Sequence, residues 1–176
     1  MQIKPHEAHH IAVLAGQGET AKLKEAVNEL AQRETASPAG ILIACKDDFQ
    51  QTAAHIAAKS GQTSNYSLPF HHSHGELQLT TSGKESILTL AELLESDDKK
   101  STYFNMANRF TGDRPVHTAM RHGYLDVLKA LVSNGADPTA KNRFGDMVVD
   151  YPGDYEPEEV QRVVEEYRDK MDKAEG

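Results

Sequence analysis

The sequence predicts an all-α fold in which pairs of antiparallel helices stack as a solenoid, with one small β-hairpin inserted. Residues 114–142 place two short amphipathic helices and a loop within one compact segment. Related segments recur along the chain, and a unit this small needs neighbours to bury its apolar face. Aromatic residues make up 6% of the chain and Trp is absent, which favours small packed helices over a β-sandwich.

The segment 114–142 contains its own helix start and stop signals. Pro115 stands where a helix can begin, since its missing N–H would be unpaired there anyway. We expect this first helix to end near Gly123. The second helix should end at Gly135, which favours a left-handed stop, before the extended Asp137-Pro138. Its apolar stripe consists of Leu125, Leu128, Leu131 and Val132.

Many positions of this segment hold a known spacing at once: Gly112, Pro115, Val116, His117, Ala119, Gly123, Val127, Leu131, Gly135, Ala136 and Asp137. With them the segment resembles an ankyrin repeat, whose pattern runs roughly G-x-T-P-L-H-x-A-A-x-x-G-H-x-x-x-V-x-x-L-L-x-x-G-A-D. Arg114 replaces the usual Thr, and Met120 replaces the second Ala. The resemblance implies an ankyrin-repeat solenoid of paired antiparallel helices with finger loops, which binds a partner protein through its fingers and first helices.

Weaker copies predict a single domain, 1–176, built of about four units. His10, His55 and His117 fall in one register, and Asp150 stands there in the last unit. A degenerate extra repeat within 62–96 is an alternative to the insertion that we prefer. The insertion is favoured because 62–82 lacks a T-P-L-H or A-A segment. The predicted units are 5–40, 48–100 with the insertion 62–82, 110–142, and a capping unit 143–173 whose last helix begins near Pro157.

Between these units the sequence predicts further elements. The composition of 34–40 favours a loop. The insertion is expected to form a hairpin over 66–81, with strands Tyr66–Phe70 and Glu76–Thr81. A capping box at Ser82 should open a helix that carries Ile87, Leu90, Ala91 and Leu94 on one face. The segment 97–101 is interpreted as a charged turn.

The composition disfavours several classes of function. The net charge is −8 and no basic face is evident, so nucleic-acid binding is not expected. No apolar run approaches the ~20 residues of a membrane span, and the N-terminus lacks a signal-peptide core. The single Cys45 excludes an internal disulfide and fits a reducing compartment. We therefore expect a soluble cytoplasmic protein, as a monomer, with Cys45 a packed thiol and with no cofactor and no catalytic residue.

The histidines allow two interpretations. His71, His72 and His74, with Glu76 nearby, could share a zinc ion; an exposed polar turn or a partner-contacting loop is the preferred interpretation. The resemblance implies that the histidines in repeat register, His10, His55 and His117, make structural hydrogen bonds between neighbouring units.

The predicted function is that of a non-enzymatic protein-interaction module or adaptor. Phe49, Phe110 and Phe144 occupy equivalent finger positions, and each either contacts a partner or packs on the next finger. One alternative is a bacterial secreted effector that acts on a protein in the host cytosol through the same surface. A second is a metal-binding or enzymatic role at His71–His74. The expected partner-binding residues are Asp48, Phe49, Lys59, Asn108, Arg109, Phe110, Arg121, Arg143 and Phe144.

Overall fold

The computed structural model describes residues 3–60, 82–152 and 155–175. All regular structure in these ranges is helical, which confirms the predicted helical class. The hairpin predicted at 66–81 and the choice between an insertion and an extra repeat within 62–96 fall largely on residues outside these ranges. The helices are α1 Pro5–Gln17, α2 Thr20–Arg33, α3 Pro38–Ala44, α4 Ala53–Lys59, α5 Ser82–Leu94, α6 Asp97–Phe104, α7 Pro115–Arg121, α8 Leu125–Ser133, a 3-10 turn Val148–Asp150 and α9 Pro157–Glu175.

The helices form two layers. Helices α1, α4 and α7 and the 3-10 turn pack side by side in the first layer, and α2, α5, α8 and α9 follow one another in the second. Each first-layer helix also packs on its successor in the chain, except that α3 intervenes before α4. This is the arrangement of stacked helix pairs that the sequence predicts.

The residues of the two layers differ in size. In α4 the buried residues are mostly alanines, Ala53, Ala54, Ala57 and Ala58, so that neighbouring first-layer helices approach closely. The second layer supplies larger side chains, of which Leu90 and Leu128 are fully buried. Truncating such a leucine to Ala costs about 2–5 kcal/mol. The predicted face of α5 is confirmed, since Ile87, Leu90, Ala91 and Leu94 are all buried.

Helix α3 corrects the loop predicted at 34–40. The Ser37 hydroxyl accepts a hydrogen bond from the Gly40 N–H at 3.1 Å, and Pro38 occupies the first helical position. A serine before a proline is a start signal for a helix as well as a turn signal. Ile41 and Leu42 decide between the two, because both are fully buried against the second layer once the helix forms.

Helix α6 corrects the charged turn predicted at 97–101. Ser96 caps it by accepting a hydrogen bond from the Lys99 N–H, and two aspartates follow in the first turn, where the helix dipole favours negative charge. Tyr103 and Phe104 at its end are fully buried. The charged segment is therefore the solvent-facing start of a helix whose end belongs to the core.

Candidate protein-interaction surface

Three loops of the chain share one turn, and we call them fingers one (47–51), two (108–113) and three (142–146). Each begins with a side-chain oxygen that accepts backbone hydrogen bonds from residues further on, an Asx turn. Asp47 accepts from residues 49 and 51 at 2.9 and 2.7 Å. Asn108 accepts from 110 and 111 at 3.1 and 2.9 Å. Asn142 accepts from 144 and 146 at 2.9 and 3.0 Å.

The third residue of each finger is a phenylalanine that projects into solvent. The exposed fractions are 51% for Phe49, 63% for Phe110 and 71% for Phe144. The rings of Phe49 and Phe110 also touch, with centroids 5.3 Å apart and planes inclined at 51°. The structure thus combines the two alternatives, because these two rings pack on each other and still offer half or more of their surface. We call the three residues the aromatic row.

Backbone hydrogen bonds join each finger to the next. The Arg109 N–H donates to the Phe49 carbonyl at 2.8 Å, and the Arg143 N–H donates to the Thr111 carbonyl at 2.9 Å. At Gly112 the chain takes φ +69°, and an added Cβ would lie 2.7 Å from the side chain of Arg143. The fingers therefore hold the aromatic row in place without a partner.

The charged finger residues lie beside the aromatic row. Arg109 and Arg143 are exposed, and no carboxylate of the described residues forms an ion pair with either. The Arg143 guanidinium reaches only the carbonyl oxygen of Phe110, at 3.4 Å. Asp48, on finger one, is also exposed. Fingers two and three thus present positive charge, and finger one presents negative charge.

Two further predicted contact residues lie at the ends of first-layer helices and already bind within the chain. Lys59 ends α4, and its ammonium donates to the side chain of Gln51 at 3.1 Å. Arg121 ends α7, and its guanidinium lies 2.6 Å from a carboxylate oxygen of Asp113. The same guanidinium stands 5.5 Å from the centre of the Tyr151 ring.

Asn108 differs from the other predicted contact residues because it is only 9% exposed. Its carbonyl oxygen caps the finger backbone, and its amide nitrogen donates to the Thr111 hydroxyl at 2.9 Å. Its role in the structure is to shape finger two, which presents Arg109 and Phe110.

A polar network that the sequence did not reveal connects finger two with the last unit. Asp113 is 1% exposed and accepts from the Asn142 amide at 3.0 Å and from the Tyr151 hydroxyl at 3.4 Å. Burial alone would raise its pKa, but hydrogen bonds from Thr111 and Asn142 and the charge of Arg121 outweigh it and lower the pKa. The recurrence of Asn-Arg-Phe at 108 and 142 was the available signal, although it could not identify Asp113 as the acceptor.

Two of the three histidines in repeat register make the predicted structural hydrogen bonds. The Nδ1 atoms of His55 and His117 accept the backbone N–H of Thr52 and Arg114, both at 3.1 Å. Each Nδ1 thus lacks a proton, so Nε2–H donates to the carbonyl of Asp113 or Ala140, both at 3.0 Å. Burial lowers the pKa of both rings, that of His55 to about 4.

The prediction for His10 is wrong, because its side chain is exposed. The equivalent position in the first unit is Glu7, three residues earlier, whose carboxylate accepts the Lys4 N–H at 2.8 Å. Glu7 also binds the Arg33 guanidinium, which lowers the pKa of Glu7 to about 2. In the last unit, Asp150 takes this position and accepts the Met147 N–H at 2.7 Å. The shared feature is an acceptor three residues after the helix cap, which an acid supplies as well as a histidine.

Cys45 and the histidine cluster complete the predicted sites. Cys45 is buried, and that burial raises the pKa of its thiol to about 12, so it has the environment of a packed, unreactive thiol. Residues 71–74 lie outside the described residues. Elsewhere, in the part of the chain that the structure describes, no group of three or more potential ligands could hold a metal ion. Over the same residues, no helix has the length and apolar character needed to cross a membrane.

Comparisons with known proteins agree with this architecture. Residues 111–143 match the ankyrin repeat family, which confirms the resemblance of the best unit. No curated protein sequence matches the chain. A chain in the crystal structure of the yeast ribosomal protein Rps3 in complex with its chaperone Yar1 is similar in fold, with a TM-score of 0.60 over 97% of each chain at 24% identity.

Proposed function

We propose that this chain, a stack of helix pairs with an ankyrin repeat at 111–143, is a protein-binding adaptor. Its partner would lie across the fingers and the ends of the first-layer helices, with the nine predicted residues in or beside the contact. The proposal uses the division into units at 5–40, 48–100, 110–142 and 143–173. Binding would proceed without a catalytic step, and the partner would be a protein.

The observation that carries the proposal is the aromatic row. A phenylalanine that is half or more exposed keeps apolar surface in water, and its burial by a partner releases about 25 cal/mol for each Å² covered. Three such rings occur at equivalent places on neighbouring fingers, whereas single exposed apolar residues scattered over a surface need no explanation. Aromatic side chains next to arginines are also the residues that most often dominate the energy of an interface.

The finger-to-finger hydrogen bonds support the same conclusion from the cost of binding. A partner that meets mobile loops must order them, which consumes part of the interaction energy. Here the turns are closed by Asx side chains and joined through the backbone at 2.8 and 2.9 Å. The surface is therefore preformed, and little ordering opposes association.

The similar solved chain comes from a complex between a ribosomal protein and its chaperone. At 24% identity that likeness carries the fold alone. It gives a precedent for this helical stack within a protein complex, and the partner of the present chain has to be found by experiment.

The test removes two exposed rings together, Phe110→Ala with Phe144→Ala. A partner is first identified by affinity capture and mass spectrometry, and its affinity for the purified chain is then measured by calorimetry. We expect roughly a thirtyfold loss, the effect of removing about 2 kcal/mol of hot-spot energy. The thermal midpoint should stay unchanged, because both rings are mostly in solvent.

A matched control removes the same amount of exposed apolar surface elsewhere. Leu88 on α5 and Met171 on α9 are each 43% exposed, and both are replaced by Ala. This control should bind the partner like the wild-type chain. Equal weakening by the control, or full binding by the finger variant, would place the interface on another surface.

A further inference from the structure

We propose that the segment which the aromatic row binds is an acidic segment of the partner protein, with apolar side chains between its carboxylates. This inference rests on the proposed function and specifies the chemistry of the partner. It assigns the apolar side chains to the aromatic row and the carboxylates to the arginines of fingers two and three.

The charge of the fingers differs from that of the whole chain. The chain carries −8 overall, yet Arg109 and Arg143 stand exposed on neighbouring fingers. Three other arginines already have carboxylate partners within the fold: Arg33 pairs with Glu7, Arg114 with Asp137, and Arg121 with Asp113. Among the described residues, the two finger arginines have none, so their charges remain available to a partner.

The position of these arginines determines which partner charge is tolerated. Any segment that covers Phe110 and Phe144 also removes water from the adjacent guanidinium groups. This desolvation is unfavourable unless an acceptor replaces the water, and a carboxylate does so with two charge-assisted hydrogen bonds. A basic segment would meet like charge at both fingers, which costs several kcal/mol at an interface.

Asp48 gives the site a direction. It is exposed on finger one beside Phe49, so the positive charge is confined to fingers two and three. The rings of Phe49 and Phe110 are in contact, and hence a single extended segment can meet the charges of both signs in order. The carboxylates of the partner should therefore lie over fingers two and three, with a neutral or basic residue over finger one.

The experiment uses the full chain and three short fluorescein-labelled synthetic peptides that differ in charge alone. In the first, pairs of Glu flank single Phe residues; in the second Gln replaces Glu, and in the third Lys does. Binding is followed by fluorescence anisotropy. We expect the Glu peptide to bind about tenfold more tightly than the Gln peptide, the Lys peptide to bind most weakly, and the preference to shrink as salt is added.

Charge variants then locate the effect. Arg109→Glu with Arg143→Glu should abolish the preference for the Glu peptide and favour the Lys peptide. Asp48→Lys should increase the affinity for the Glu peptide, a gain that a misfolded variant could not produce. Arg162→Glu with Lys170→Glu changes the net charge by the same amount on the exposed face of α9, and should leave the preference intact.

Several results would overturn the inference: equal affinity for the Glu and Gln peptides, binding of none of the three, or tighter binding of a short oligothymidylate, which would indicate a nucleic acid. If these occur while Phe110→Ala with Phe144→Ala still prevents capture of the identified partner, the adaptor function remains and only the acidic character fails. If the phenylalanine variant also leaves capture unchanged, both proposals fail.

Discussion

Lowering the pH should destabilise the protein through the buried His55. Its pKa falls from 6.5 to about 4 in the folded chain because the ring is buried. Between these values the unfolded chain binds a proton at this ring and the folded chain does not, so stability decreases as the pH falls. The effect is absent well above 6.5 and complete below the folded pKa.

The magnitude follows from the two pKa values. Lowering the pH from about 7.5 to about 5.5 gives the unfolded chain a proton at almost every such ring, while the folded ring stays neutral. Linkage converts this into about 1.3 kcal/mol of lost unfolding free energy from His55 alone. In this pH range most carboxylates remain ionised, so their titration contributes little. The lowered pKa of His117 adds to the wild-type loss in the same direction.

The assay compares wild type with His55→Gln by urea unfolding at both pH values. Glutamine is the natural residue at this position of a capping box, and its oxygen can accept the Thr52 N–H that the ring accepts at 3.1 Å. We expect the variant to lose about 1–3 kcal/mol at the higher pH, because the bond to the Asp113 carbonyl disappears. Its loss between the two pH values should be smaller than that of wild type by about 1.3 kcal/mol. An equal pH dependence for both proteins would refute the reasoning.

Three further outcomes follow from the structure. Gly112→Ala should destabilise the chain by about 1–2 kcal/mol more than Gly123→Ala in thermal unfolding, since both have positive φ but only the first would bring a Cβ to 2.7 Å from another side chain; equal losses would exclude the clash. Arg121→Gln should cost about 1–2 kcal/mol, because it leaves the buried Asp113 carboxylate without its half-exposed cation; denaturant unfolding measures this, and an unchanged midpoint would contradict it. Cys45 should react with a thiol reagent at neutral pH only at the rate of unfolding; rapid reaction of the folded chain would show that the thiol is accessible.

The sequence was most informative where local signals and core burial agree. Pro115, Gly123 and Gly135 mark helix ends by backbone geometry alone, and the apolar stripe of α8 has a helical period. It was misleading where one local signal serves two structures. A serine before a proline begins a turn or a helix, and only the burial of Ile41 and Leu42 selects the helix α3. The register of the first unit was displaced for a similar reason, because Glu7 replaces the histidine as acceptor.

By itself, the sequence determined the helical class, the best repeat and the equivalence of three finger positions. These follow from spacing along the chain, and spacing is written in the sequence. The tertiary structure decided which charges are already used. Arg121 is neutralised by Asp113, and Asn108 is consumed by its own finger, whereas Arg109 and Arg143 meet no carboxylate among the described residues. Such pairings join residues on different elements, so only the packing of the finger onto the helix establishes them.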